Sequence, residues 1–309
     1  NNSNDNLNIS NNIELSSKEI LKLYNLFENK TPKLKIILCD IIFYNINLLP
    51  DDIKNLKNIS FLKHHTLLYN NFISFDIIEK IRKMRYYIKI IHNNKLLYTL
   101  YCNNKKEIYY LKKKKIFNKI ATRLLFFSNY LNVYKLPNLK IYYTTLKKKI
   151  NYINRKSDIT YTPKNINTAA TNINENIIIW RKEELLKSII HETVHFYNID
   201  INNKKISDKY NNFFKKIINI NETNNVEISE AYTETIATFI NCIFNINENL
   251  NNKKLNVIKH FTENLKKEIY FSIFQSSKIM YYQNYKSFND IFKKNKKTEM
   301  NQTTDMISY

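Results

Sequence analysis

The chain contains no glycine. Walker loops, dinucleotide-binding fingerprints and G-x-S-x-G nucleophile elbows all need it where a Cβ would clash, so those three functional classes are excluded. Turns with positive φ must fall to asparagine, which is abundant here and tolerates that region best after glycine. Cysteine is scarce too: Cys39, Cys102 and Cys242 are far apart and odd in number. They spell neither a disulfide framework nor a cysteine metal motif, and they fit an intracellular, reducing compartment. No apolar run reaches spanning length and no signal peptide opens the chain, so no membrane span is expected. A first residue other than Met points to a processed or trimmed start.

Acidic residues are outnumbered, with 27 Asp+Glu against 49 Lys+Arg and a formal charge of +22. Two readings stay open. One is an anionic partner, nucleic acid or an acidic surface. The other is AT-rich coding, which also enriches Asn, Ile, Tyr and Phe. The lysines are spread along the chain rather than gathered in one arm, which favours coding bias.

What is present is enough for a folded core: 309 residues, 43% of them hydrophobic. Residues 1–15 read as an Asn-rich arm, and Ser16 with Glu19 spells a capping box before an apolar helical stripe. An apolar run at 35–44 and helices near 52–58 and 75–84 follow. The stretch 86–102 reads as a β-hairpin turning at Asn93-Asn94, and 115–131 as a helix. Strands are expected at 139–143, 166–171 and 176–180, then helices near 182–198, 226–245, 254–272 and 274–283. The fold class is α+β. The expected division is an arm and helix (1–32), a small N-terminal α/β region (33–135) and a mainly helical domain (136–309).

The chemistry centres on "HETVH", residues 191–195. By chance H-E-x-x-H would arise in fewer than about one such chain in a hundred. On a helix, Leu185, Leu186, Ile189, Ile190, Thr193, Phe196 and Tyr197 take one side, while His191, His195 and Glu192 fall outside it. Histidines satisfied inside a core would lie on the apolar side. This spacing instead lets both imidazoles hold one tetrahedral zinc, with Glu192 pointing beside them. A third protein ligand is then needed. The metzincin positions hold Asn198 and Ile201, so that pattern fails, and Asp200 is one position short of its aspartate variant. The better source is "SEAYTETIATFIN" (229–241), where Glu227, Glu230, Glu234 and Asn241 share one side of a helix.

H-E-x-x-H followed by E-A-x-T-E resembles the gluzincin, thermolysin-like metallopeptidases. The resemblance implies a zincin domain with a short edge-strand sheet and one Zn2+ per chain held by His191, His195 and Glu230. Glu192 would be the catalytic base acting on zinc-bound water, and the substrate a peptide or protein. Glu234 would steady His191 from behind with Asn241 beside it, and Asn167, Thr168 and Ala169 would bind an extended peptide. Roughly residues 86–309 are also similar to an uncharacterised H-E-x-x-H family of giant DNA viruses of protists. That implies host cytoplasm or virion as the location, and a chain clipped after "TEMNQTTDMISY". The rival expectation, from the +22 charge, is a basic virion or nucleic-acid-associated protein with a non-catalytic zincin fold.

Overall fold

Two asparagines do at the central hairpin what glycine does elsewhere. Asn93 (φ 48°) and Asn94 (φ 60°) both occupy the left-handed region, as a tight two-residue hairpin turn requires. Among the described residues seven have positive φ, and five of them are Asn; the others are Lys115 and Glu184. The computed structural model describes residues 17–27, 32–40, 73–145, 166–200, 204–218, 226, 228–249, 256–282 and 285–293. The arm at 1–15, Ser16, the helix expected at 52–58, Glu227 and the segment 298–309 lie outside the described residues.

The strands are β1 (Lys35–Asp40), β2 (Tyr86–His92), β3 (Lys95–Cys102), β4 (Asn138–Tyr142), β5 (Ala169–Asn172) and β6 (Asn176–Ile179). They form one sheet in the order β1-β2-β3-β4-β6-β5. Pairing is antiparallel through β1, β2 and β3, parallel from β3 to β4 and β4 to β6, and antiparallel again between β6 and β5. The sheet therefore runs across residue 135 without interruption, and β5 ends it as an edge strand.

The helices are α1 (Ser17–Phe27), α2 (Phe75–Arg82), α3 (Lys105–Lys113), α4 (Ile116–Tyr130), α5 (Leu185–Phe196), α6 (Lys204–Ile217), α7 (Ile228–Asn249) and α8 (Val257–Tyr282). A short 3-10 turn at Phe288–Phe292 follows. The result is a mixed α+β fold, mainly helical with a sheet. Among the described residues, no helix is long and apolar enough to cross a membrane.

Side chains alternate across the sheet, as a period of two demands. Ile88, Ile90, Leu100, Leu139, Ile141, Ile177 and Ile179 pack on one face against Phe117, Ile120 and Leu124 of α4 and Leu185, Ile189 and Phe196 of α5. Tyr87, Tyr101 and Tyr142 point to the other face and meet Ile77 and Ile81 of α2. The second flank of α5, Ile190 and Val194, packs with Ala237, Ile243 and Phe244 of α7 and Phe261 of α8. Helix α5 is thus wedged between sheet and helices along two apolar flanks. Its remaining side carries the polar residues.

Two sequence expectations change. One helix, α8, replaces the two expected at 254–272 and 274–283, because neither Pro nor Asn interrupts the backbone near Ser272. The helix expected from about 182 starts instead at Leu185, with Glu184 before it at φ 55°. Helices α3 and α6 were not anticipated. The start of α3 carries a readable signal, since Asn104 accepts from the Glu107 backbone N–H at 2.9 Å.

Candidate metal centre

Helix α5 brings His191 and His195 one turn apart, and their Nε2 atoms lie 3.1 Å from each other. From the first turn of α7, Glu230 closes the group. Its Oε2 lies 3.2 Å from His191 Nε2 and its Oε1 3.2 Å from His195 Nε2. A carboxylate is favoured there by the positive end of the helix dipole. Among the described residues, these three form the group able to hold a metal ion.

The opposite ring nitrogens decide the chemistry. His191 Nδ1 is 3.1 Å from Glu234 Oε2, and His195 Nδ1 is 2.8 Å from Asp200 Oδ2. A carboxylate only accepts, so each Nδ1 carries the hydrogen and donates it. In neutral rings the inward Nε2 positions then hold lone pairs facing each other and Glu230, an arrangement that calls for positive charge at the centre. A tetrahedral zinc with arms of about 2.0–2.1 Å would set its ligands roughly 3.3–3.4 Å apart. The separations of 3.1 to 3.2 Å lie close to that edge. The residues fit the ion in donor type, in spacing and in tautomer.

The electrostatics agree. Burial alone would lower His191, but hydrogen bonds to Glu230 and Glu234 and the Glu192 charge outweigh it and hold the ring up at about 10. His195 is raised likewise, burial being overcome by its bond to Glu230. Burial would raise Glu230, yet its bonds to the two histidines hold it far below the ordinary carboxylate range. Glu234 is also lowered, against burial, by His191 and by the ion pair with Lys187. Without a metal, protons supply the charge this cluster draws in.

Glu192 is the exception. Burial raises its pKa, opposed by the neighbouring histidines and by Thr171. Thr171 Oγ1 donates to Glu192 Oε2 over 2.6 Å, tying this carboxylate to β5. The turn after β5 is tied to the end of the same helix, Asn174 N–H donating to the Phe196 carbonyl at 3.2 Å. Strand and helix are thereby held as one unit around Glu192.

Of the residues expected from the sequence, His191, His195, Glu192, Glu230 and Glu234 are brought together. Asn241 is not. Its Oδ1 faces Arg123 Nη2 at 3.4 Å, on the far stretch of α7. The peptide-binding trio is divided. The Asn167 carbonyl accepts from Trp180 Nε1 and Arg181 Nε, and the Thr168 carbonyl from the Trp180 backbone N–H. Those carbonyls are engaged inward. Antiparallel alternation then turns the backbone groups of Ala169 and Thr171 to the open edge of β5. Thr171 and Lys187 were missed at the sequence level. Lys187 carries a readable signal, lying one turn before His191 on the same side. Asp200, weighed as a ligand, stands behind His195 instead.

Against known proteins, the chain is 29% identical over 126 residues to a protein of Acanthamoeba polyphaga mimivirus described as uncharacterized protein R210. The match takes in 40% of this chain and 31% of that protein, so it spans about a third of the relative's length. No family model matches, and no solved structure does. The chain is thus distantly related to a giant-virus protein.

Proposed function

We propose that the chain is a zinc-dependent metallopeptidase of gluzincin type that hydrolyses peptide bonds. The observation that carries this reading is the convergence of His191 Nε2, His195 Nε2 and the Glu230 carboxylate at near-tetrahedral spacing beside buried Glu192. A zinc ion held by these three side chains would supply Lewis acidity, activating a water and polarising the scissile carbonyl. Glu192 accepts the water's proton and returns it to the leaving amine. Burial raises its pKa, the direction that favours taking up a proton, and Thr171 fixes Oε2 so that Oε1 is the atom left to take it. The open edge of β5 would pair with an extended peptide laid beside it. A purely structural metal site has no use for a buried carboxylate next to its ligands.

The +22 charge favours a second reading, a basic virion or nucleic-acid-associated protein with the same metal site but no catalysis. One variant separates them. Glu192→Gln should retain one zinc per chain and lose cleavage of a broad peptide library by about 10²–10⁴-fold. Zinc-loaded wild-type protein that cleaves nothing in that library would refute the peptidase reading and favour the second.

A further inference from the structure

We infer that Asp200 is a positioning residue of the metal centre, doing for His195 what Glu234 does for His191. The inference rests on the metal-site reading above and adds a residue that the gluzincin pattern does not supply here.

The route from sequence to position is local. Helix α5 ends in paired hydrogen bonds: Asn198 N–H donates to the His195 carbonyl at 2.9 Å, and Ile199 N–H to the Val194 carbonyl at 3.2 Å. These are the two bonds of a Schellman ending, with Asn198 at φ 54° in the place where glycine is usual. Ile199 folds back onto the cluster that contains Val194, which is the apolar contact of the same motif. The chain therefore reverses, and Asp200 returns beneath the last turn with its side chain only 5% exposed and 2.8 Å from His195 Nδ1.

The consequence is a choice of tautomer. Were the hydrogen of His195 on Nε2, the ring would donate to Glu230 Oε1, and the site would close as an ordinary hydrogen-bonded pair. By taking the hydrogen at Nδ1, Asp200 keeps the Nε2 lone pair turned inward. The two rings are thus held from behind by acids of different origin, Glu234 from α7 and Asp200 from the turn that ends α5. Neither ring depends on the other for its orientation.

The test uses the full chain, loaded with zinc in competition with a chromophoric chelator and separately with cobalt(II), whose visible spectrum reports ligand geometry. Asp200→Ala should weaken zinc by about 10–100-fold and alter the cobalt spectrum. Asp200→Asn keeps an acceptor oxygen and should lose less, with a spectrum close to wild type. Asn198→Gly should be near-silent, whereas Asn198→Val, which resists the left-handed region, should resemble Asp200→Ala. A residue that only stiffened the turn would lower the melting temperature of the metal-free protein and leave zinc affinity and the cobalt spectrum alone. If Asp200→Ala and Asn198→Val both bind zinc as wild type does, with the wild-type cobalt spectrum, the inference is overturned while the metal site stands. Wild-type protein that takes up neither metal overturns the site itself.

Discussion

Helix α7 carries two polar clusters, one near each end, and they are built on opposite principles. Near its C-terminal end, Glu248 Oε1 accepts from Arg123 Nη1 at 2.5 Å and Oε2 pairs with Lys119 at 2.9 Å. Arg123 also donates to the Lys119 carbonyl, approaches Asn241 and stacks over the Phe244 ring 4.5 Å from its centroid. There, cationic donors meet anionic acceptors, and the cluster closes on itself. Near the N-terminal end, Glu230 faces two ring nitrogens whose hydrogens are spent on Glu234 and Asp200. With the rings neutral, acceptors there meet acceptors. A cluster of opposite charges fastens one helix to another, and one whose lone pairs converge is suited to a cation.

The largest expected effect tests the N-terminal cluster. Glu230→Gln replaces a carboxylate with a weaker, neutral ligand, so nearly all zinc and all cleavage should go. Zinc content by elemental analysis checks it, with Asp200→Asn alongside. Unchanged zinc in Glu230→Gln together with metal loss in Asp200→Asn would move the third ligand to Asp200. The converse variant tests the other end. Glu248→Ala leaves fully buried Arg123 without its main counter-charge and should cost about 3–5 kcal/mol in chemical denaturation. Zinc affinity measured under folding conditions should not move. A loss of metal in Glu248→Ala would mean that the two ends of α7 are not separable.

Glu234→Gln ranks next. Glu234 holds His191 and pairs with Lys187, so it bridges the metal cluster and an ordinary ion pair. An amide oxygen still accepts from His191 Nδ1 but gives up the charge, and zinc affinity or turnover should fall by about 10–100-fold. Chelator competition at fixed pH reads this directly. A silent variant would leave Glu234 only its ion pair with Lys187, and damage beyond that of Glu230→Gln would reverse the two acids.

The convergence of His191, His195 and Glu230 was legible in the sequence for a physical reason. Its spacing is set by helical period alone: a four-residue step from His191 to His195, and another from Glu230 to Glu234 on a second helix with an apolar stripe opposite. The hairpin was legible because only a residue tolerant of positive φ could turn it, and Asn93-Asn94 qualified. What period cannot supply is distance along the axis or the partner across a gap. Thr171 reaches Glu192 from a strand 21 residues earlier, and Asp200 reaches His195 only because Asn198 reverses the chain. Helix α6 has apolar residues at Ile206, Tyr210, Phe213 and Ile217, a helical spacing hidden among its lysines. The distant mimivirus relative bears on origin and says nothing about chemistry.

The smallest predicted effect concerns Asn241, where period misleads. A helical wheel puts Asn241 on the same side as Glu230 and Glu234, which is why it reads as part of the metal site. Seven residues beyond Glu234 at about 1.5 Å per residue is roughly 10 Å along the axis, too far for contact with His191. Asn241 instead approaches Arg123 at 3.4 Å, near the limit of a hydrogen bond, in a cluster where Glu248 already answers the charge. Asn241→Ala should therefore cost at most about 0.5–1.5 kcal/mol in denaturation and change zinc affinity by less than about twofold. Combined with Glu248→Ala it should show coupling in a double-mutant cycle, since both side chains meet Arg123; combined with Glu234→Gln the effects should add. A tenfold loss of zinc in Asn241→Ala alone would return this residue to the metal centre and dissolve the division between the two ends of α7.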